Sequence, residues 1–255
     1  MPETDKRKVD MQVMGAAEYN KAWVTRDDMK LYGPFSRILR RIILKLVRPL
    51  SFTSVLDVGC GQGSLLKELY SEHPKIEVHG TDFSKKAIEM ASARVPNGQF
   101  QFLDLSKRHL DETFDLVICS EVLEHIIDDQ AAIRNLVSMT KNYLVVSAPQ
   151  GRMRSFELSV GHVRNYEYGE LVKKLEKHGL HIVRVVEWGF PFYSPLYRSF
   201  LNGIKGKGTT GKIGPFRKVI SLGIYGLFKL CSWKHGDEIV ILAEPIRSKQ
   251  IEPEK

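Results

Sequence analysis

Val55-Leu56-Asp57-Val58-Gly59-Cys60-Gly61-Gln62-Gly63 is the stretch that decides the fold. The apolar run reads as a short buried strand ending in an acid, and the glycines form a loop that opens a helix from Ser64 to about Tyr70. Glycine at every second position lets a backbone approach a ligand closely and take turns that a side chain would block. The spacing is G-x-G-x-G, not the G-x-G-x-x-G that seats a pyrophosphate on a helix N-terminus. Asp57 would repel a phosphate and attract a cation. A nucleoside ligand with a positive charge and no phosphate fits this loop.

Outward from the loop, short apolar runs alternate with amphipathic stretches, the pattern of βα units around a parallel sheet. Strands are expected at 53–58, 76–81, 99–103, 114–119, 142–147, 180–186 and 238–244, with helices near 63–72, 84–94, 121–140 and 167–178. Two further helices are expected before the sheet, around Ala16–Leu31 and Phe35–Val47. In an open α/β sheet, ligands bind outside the carboxyl ends of the strands, near the point where strand order reverses. Asp82 ends the second strand and could accept from both ribose hydroxyls, since a carboxylate takes two hydrogen bonds at once. Asp104 and the Leu105 backbone follow the third strand, placed for the adenine amino group, and Phe83 is a candidate wall for the base. Each acid alone could equally be a helix N-cap. Three acids at three successive strand ends, with the loop, favour the ligand.

With these residues in place, the chain resembles the class I S-adenosylmethionine-dependent methyltransferases, and among them the group holding the ubiquinone-biosynthesis methyltransferases. The resemblance covers about residues 50–187. It implies a Rossmann-like α/β fold, with a seven-stranded, mostly parallel sheet, helices on both faces and an antiparallel last strand. It also implies S-adenosylmethionine as cofactor, held by Asp57, Gly59, Cys60, Gly61, Gly63, Asp82, Phe83, Asp104, Leu105, Ser120 and Glu121, with Ser120 and Glu121 beside its methionine portion.

Methyl transfer from a sulfonium is an in-line displacement that aligns the acceptor and, for a hydroxyl, removes its proton. Glu121-Val122-Leu123-Glu124-His125 follows the fourth strand, and Glu121 and His125, four apart, would share a helical face. Gly161-His162-Val163-Arg164-Asn165-Tyr166 resembles a loop that lies over the same pocket in this group. Three readings stay open. Glu121 caps a helix while His125 is a structural hydrogen bonder; His125 or His162 is a general base; or Glu121, Glu124, His125 and His162 bind magnesium or another divalent metal. The last resembles the ubiquinone-pathway O-methyltransferases and the small-RNA terminal ribose methyltransferases.

Composition sets the remaining bounds. At 255 residues and 43% hydrophobic, the chain can bury a full core. Cys60, Cys119 and Cys231 show no paired spacing, which argues for a reducing, cytoplasmic setting. Neither a secretory signal at Met1–Asp10 nor a stretch of about 20 uncharged apolar residues is visible. Expected units are a tail and helical lid at 1–50, a cofactor-binding core at 51–187, a basic aromatic insertion at 188–236, and the last strand with a tail at 237–255. Between Trp188 and Gly236 there is no Asp or Glu, while Arg198, Lys205, Lys207, Lys212, Arg217, Lys218, Lys229 and Lys234 equal the whole net charge of +8. Any partner chosen by charge should meet this segment. Arg37, Arg40, Arg41, Lys45 and Arg48 alternate with apolar residues in the same way. With Phe216–Trp233 this gives two cationic amphipathic helices suited to a peripheral membrane contact.

The expected function is methyl transfer to a small-molecule or lipid- or glycan-linked acceptor, at oxygen. The rivals are an RNA ribose methyltransferase using a divalent metal and a non-catalytic methyltransferase-like partner subunit. No RNA-binding module is recognisable, so nucleic acid is the weaker partner. Oligomeric state cannot be read from the sequence.

Overall fold

A computed structural model of the chain describes residues 20, 23, 27–204 and 211–246. The expected tail at 1–15, most of the expected first helix with Tyr19, the basic residues Lys205 and Lys207, and the tail beyond 246 lie outside the described residues. Residues 27–32 are helical and lead into α1 (Pro34–Val47). The chain then runs β1 (Ser54–Val58), α2 (Ser64–Glu72), β2 (Glu77–Asp82), α3 (Lys85–Arg94), β3 (Gln99–Phe102), β4 (Phe114–Ser120), a 3-10 turn (Leu123–His125), α4 (Asp129–Met139) and β5 (Thr140–Pro149). It continues through α5 (Ser155–Ser159), α6 (Glu170–Lys177), β6 (Leu180–Trp188), a π-helical turn (Phe192–Tyr197), α7 (Arg198–Gly203), α8 (Pro215–Phe228) and β7 (Glu238–Pro245).

The sheet order is β3-β2-β1-β4-β5-β7-β6. β1 is parallel to both β2 and β4, and β7 runs antiparallel between β5 and β6. Order reverses between β1 and β4, which opens the crevice at their carboxyl ends. A strand's side chains alternate between faces, so one strand feeds two cores. Val55, Leu116 and Ile118 pack under α1 with Ile42, Ile43 and Val47, while Leu56, Val117 and Cys119 pack on the other face with Ile133, Leu136 and Leu171. The Rossmann-like sheet and its antiparallel last strand are as expected.

Three expectations are corrected. The helix after β4 does not start at residue 121. Glu121 has φ 59°, a left-handed backbone that cannot continue a helix, and α4 begins at Asp129 with the Asp128 side chain accepting from the Ala131 amide. Glu121 therefore neither caps α4 nor shares a helical face with His125. Second, α1 is a core helix rather than a membrane-lying one. Its apolar residues from Ile38 to Val47 are buried, Arg40 is buried against Glu68 at 2.7 Å, and Arg48 pairs with Glu72. Third, the helix expected at Phe216–Trp233 spans Pro215–Phe228.

Candidate active site

The glycine loop is held by the neighbouring strand. The amides of Gly59 and Cys60 donate to the Thr81 carbonyl at 2.7 and 2.9 Å. Asp82 then accepts from the Gly61 amide at 2.9 Å and from the Ser84 amide at 2.8 Å. Gly59 and Gly61 have φ of 78° and 53°, and a Cβ at Gly61 would lie 2.2 Å from the Trp23 ring. Trp23 thus covers the loop, a role not foreseen for it. Gly63 is different: its missing Cβ lets α2 pass against Ala91 of α3, a packing role, and it lines no part of the cleft. The Cys60 sulfur packs 3.0 Å from where a Cβ of Gly80 would stand.

A cleft of about 540 Å³ lies in front of the loop. It is lined by Gly59, Asp82, Phe83, Asp104, Leu105, Ser120, Glu121 and Val122, among others. Asp57, Cys60 and Gly61 line a smaller recess beside it with Ser120 and Glu121. The structure therefore gathers every expected cofactor residue except Gly63 around the cleft and the recess beside it. Asp104 is turned partly to its own loop, accepting from the Ser106 hydroxyl at 2.6 Å. Burial pushes the Asp57 carboxyl up to about 7, aided by the nearby Asp82, and burial raises Asp82 to about 6 despite its two amide donors. Two buried acids this close hold their charge poorly, and a cation in the cleft would ionise them.

A second cavity of about 200 Å³ shares Lys30, Glu121, His125 and Val160 with the cleft. Its walls are Met29, Phe35, Phe156, Tyr193, Tyr197 and Leu201, with Glu124, His162 and Arg198 supplying the polar end. His125 donates from Nδ1 to the Gly161 carbonyl at 2.9 Å. A carbonyl can only accept, so neutral His125 carries its proton on Nδ1 and its Nε2, 3.8 Å from Glu124 Oε1, is the acceptor nitrogen of the ring. The His162 ring stands edge-on to His125, with centroids 4.8 Å apart. Burial and then His125 lower His162 to about 3, so it is neutral across the physiological range. The Val163 amide donates to the Glu124 carbonyl at 2.8 Å, and Arg164 donates to the carbonyls of Ile126 and Ile127, so the two histidine segments are stitched together.

Behind the histidines is an acid cluster that sequence reasoning missed in part. Glu124 and Glu238 are fully buried, and none of their carboxyl oxygens has a hydrogen-bond partner of fixed polarity. Glu238 faces Glu121, and a bond between two carboxyls forms only when one of them holds a proton. Burial raises all three, Glu124 and Glu238 most. Among the described residues, the donor atoms of Glu124, His125 and His162 lie within 4.8 Å of one another. Glu121, expected in the same ligand set, is outside that group and turns to Glu238 and the Ser147 hydroxyl.

Lys30, Arg198 and Glu238 carried no sequence signal. Arg198 was grouped with the partner-facing charges, but it is buried, pairing with Glu157 and with Asp237 at 3.0 Å. Its charge is spent inside the fold, holding α7 against the cavity wall.

Comparison with known proteins places this architecture. Residues 56–142 match a family model described as a methyltransferase domain. The ubiquinone biosynthesis O-methyltransferase of Coxiella burnetii is 38% identical over 92 residues, 34% of this chain and 38% of that protein. The malonyl-[acyl-carrier protein] O-methyltransferase of Bacillus anthracis is 32% identical over 84 residues, 32% of this chain and 31% of that protein. The chain thus spans under two fifths of the length of these curated relatives. The structure of the N-methyltransferase NodS from Bradyrhizobium japonicum, in complex with S-adenosyl-L-homocysteine, superposes with a TM-score of 0.62 at 17% identity, covering 92% of this chain and all of that one. Residues 56–142 are thus similar to a methyltransferase domain, and the chain has the Rossmann-like fold of the class I S-adenosylmethionine-dependent methyltransferases.

Proposed function

We propose that the protein binds S-adenosylmethionine in the cleft and transfers its methyl group to an oxygen of a small or lipid-linked acceptor held in the adjoining cavity. The observation that supports this most directly is that cleft and cavity meet at Glu121 and His125. Asp82 and Asp104 would take the ribose and adenine, and the recess with Asp57 and Glu121 the cationic methionine end. Both curated relatives are O-methyltransferases by name, which favours oxygen as nucleophile. The acceptor oxygen attacks the methyl carbon as the carbon–sulfur bond breaks and the sulfonium leaves as a neutral thioether. The acceptor's proton passes to Nε2 of His125, whose Nδ1 is fixed by Gly161. The mostly apolar walls from Phe35, Phe156, Tyr193 and Tyr197 suit an aromatic or aliphatic acceptor and exclude water.

The unpartnered oxygens of Glu124 favour a second form of the same site. Glu124, His125 and His162 would hold a divalent ion, and with two imidazoles in the set a softer ion than magnesium suits it. Such an ion lowers the pKa of a hydroxyl bound to it. The test is incubation with methyl-labelled S-adenosylmethionine and separated small-molecule, lipid, glycan and RNA extracts, with and without chelator, alongside metal analysis of the purified protein. Label in the lipid or small-molecule fraction supports the proposal, and chelator sensitivity with bound metal selects the second form. Label confined to RNA, or cofactor binding with no transfer to any fraction, would overturn it in favour of the RNA enzyme or the non-catalytic subunit.

A further inference from the structure

The basic insertion contains a helix whose two faces contradict what a soluble surface helix should show. Ser221, Ile224, Tyr225 and Phe228 of α8 recur at helical spacing and face the protein. The Ser221 hydroxyl donates to the Tyr32 carbonyl, Arg37 lies over the Tyr225 ring at 4.2 Å, and Phe228 packs edge-on to Tyr193 and Tyr197. The opposite face should then be polar. Instead Phe216, Val219, Ile220, Leu222 and Leu227, with Leu230 just beyond, are exposed, Phe216 by 77% and Leu230 by 71%. Glycines at 223 and 226 complete that face without a polar group.

We propose that α8 is a membrane-docking helix that lays this outward face on an anionic lipid surface. Charge decides the occupant. The segment has no acid from Trp188 to Gly236, and the exposed Lys218 and Lys229 border the apolar face near the two ends of the helix, their ammonium groups over the Tyr32 and Tyr225 rings at 4.1 and 4.7 Å. Cations at the edges with large apolar side chains between them match a headgroup layer over acyl chains. A second copy of the chain would bring two equally cationic faces together, which disfavours self-association. The contrast with α1 sharpens the assignment, because that helix carries more basic charge but buries its apolar residues in the core. Among the described residues no helix is long and apolar enough to cross a membrane, so the contact is with the surface.

The placement also bears on the acceptor. Tyr193 and Tyr197, which Phe228 packs against, line the second cavity. An acceptor anchored in lipid would reach that cavity from beside α8. This last step rests on the proposed function; the docking itself does not.

The test is flotation of the full chain with vesicles of phosphatidylcholine alone and of phosphatidylcholine mixed with phosphatidylglycerol. The protein should float with the anionic vesicles only. F216S/L230S, which removes the two most exposed apolar side chains of the patch, and K218E/K229E should each cut the bound fraction at least about tenfold. S-adenosylmethionine binding by both variants should stay at the wild-type level, which separates docking from the cofactor reading. Wild-type protein that stays in the dense fraction with anionic vesicles would overturn the proposal, as would F216S/L230S floating like wild type. A concentration-dependent dimer in sedimentation, abolished by F216S/L230S, would instead give the face to a second copy and also overturn it.

Discussion

The two halves of the site treat their acids in opposite ways. On the cleft side, Asp82 accepts from two backbone amides and Asp104 from Ser106, so these carboxylates have protein partners before any ligand arrives. On the cavity side, Glu124 and Glu238 are fully buried with no partner of fixed polarity. A hydrogen-bonded carboxylate rigidifies a loop, whereas a buried unpaired one is held neutral or waits for a cation. The cleft is preorganised by its own backbone, and the cavity is left electrostatically incomplete for what enters it.

The sharpest way to break this contrast is to remove the carboxylate on which the cleft is built. Asp82→Ala leaves the buried amides of Gly61 and Ser84 without an acceptor, at about 1–3 kcal/mol each. Cofactor affinity should fall by at least about 100-fold and chemical denaturation should show the lost stability. Wild-type affinity would mean that the loop is held by Thr81 alone.

The cavity side is tested by His162→Ala. Turnover should fall about 100-fold while cofactor affinity, by calorimetry, stays unchanged. Unchanged turnover would remove His162 from the chemistry in both the base and the metal forms of the site.

A smaller effect is expected from pH. Burial places Asp57 at about 7 and Asp82 at about 6, and a cationic ligand binds best when both are ionised. Affinity for S-adenosylmethionine should therefore rise by about tenfold from pH 6 to pH 8, and Asp57→Asn should flatten most of that rise. A flat wild-type profile would show that Asp57 does not sense the ligand's charge.

The last test concerns stability. Burial raises Glu238, so the folded state takes up a proton that the unfolded state releases above its ordinary carboxylate range, and stability is lost as pH climbs toward the folded value. Glu238→Gln keeps the shape without the proton. It should gain stability over wild type as pH rises from 4 to 8, read from urea midpoints.

What could be read in advance follows the same division. The cleft groups sit at strand ends or in the loops that leave them, so Asp57, Asp82 and Asp104 are found by marking where apolar runs stop. The cavity groups come from distant parts of the chain. Lys30 precedes the sheet, Glu238 opens the last strand, and Arg198 looked like one more solvent-facing cation of a basic run until its pairing with Glu157 and Asp237 appeared. Glu121 misled for a local reason. Its spacing to His125 suits a helix, but the chain leaves β4 through a left-handed residue and a 3-10 turn before α4 begins.

The amino-acid sequence by itself determined the strand order's raw material, the glycine loop and the acids beside it, because these depend on hydrophobic periodicity and on backbone freedom within a few residues. Only the tertiary structure decided which cations are spent inside the fold, which carboxyls meet without partners, and which of two look-alike amphipathic helices keeps its apolar face outside. Those outcomes depend on what packs against each side chain, and burial of a charge or an apolar face is a property of neighbours that the chain brings together from far apart.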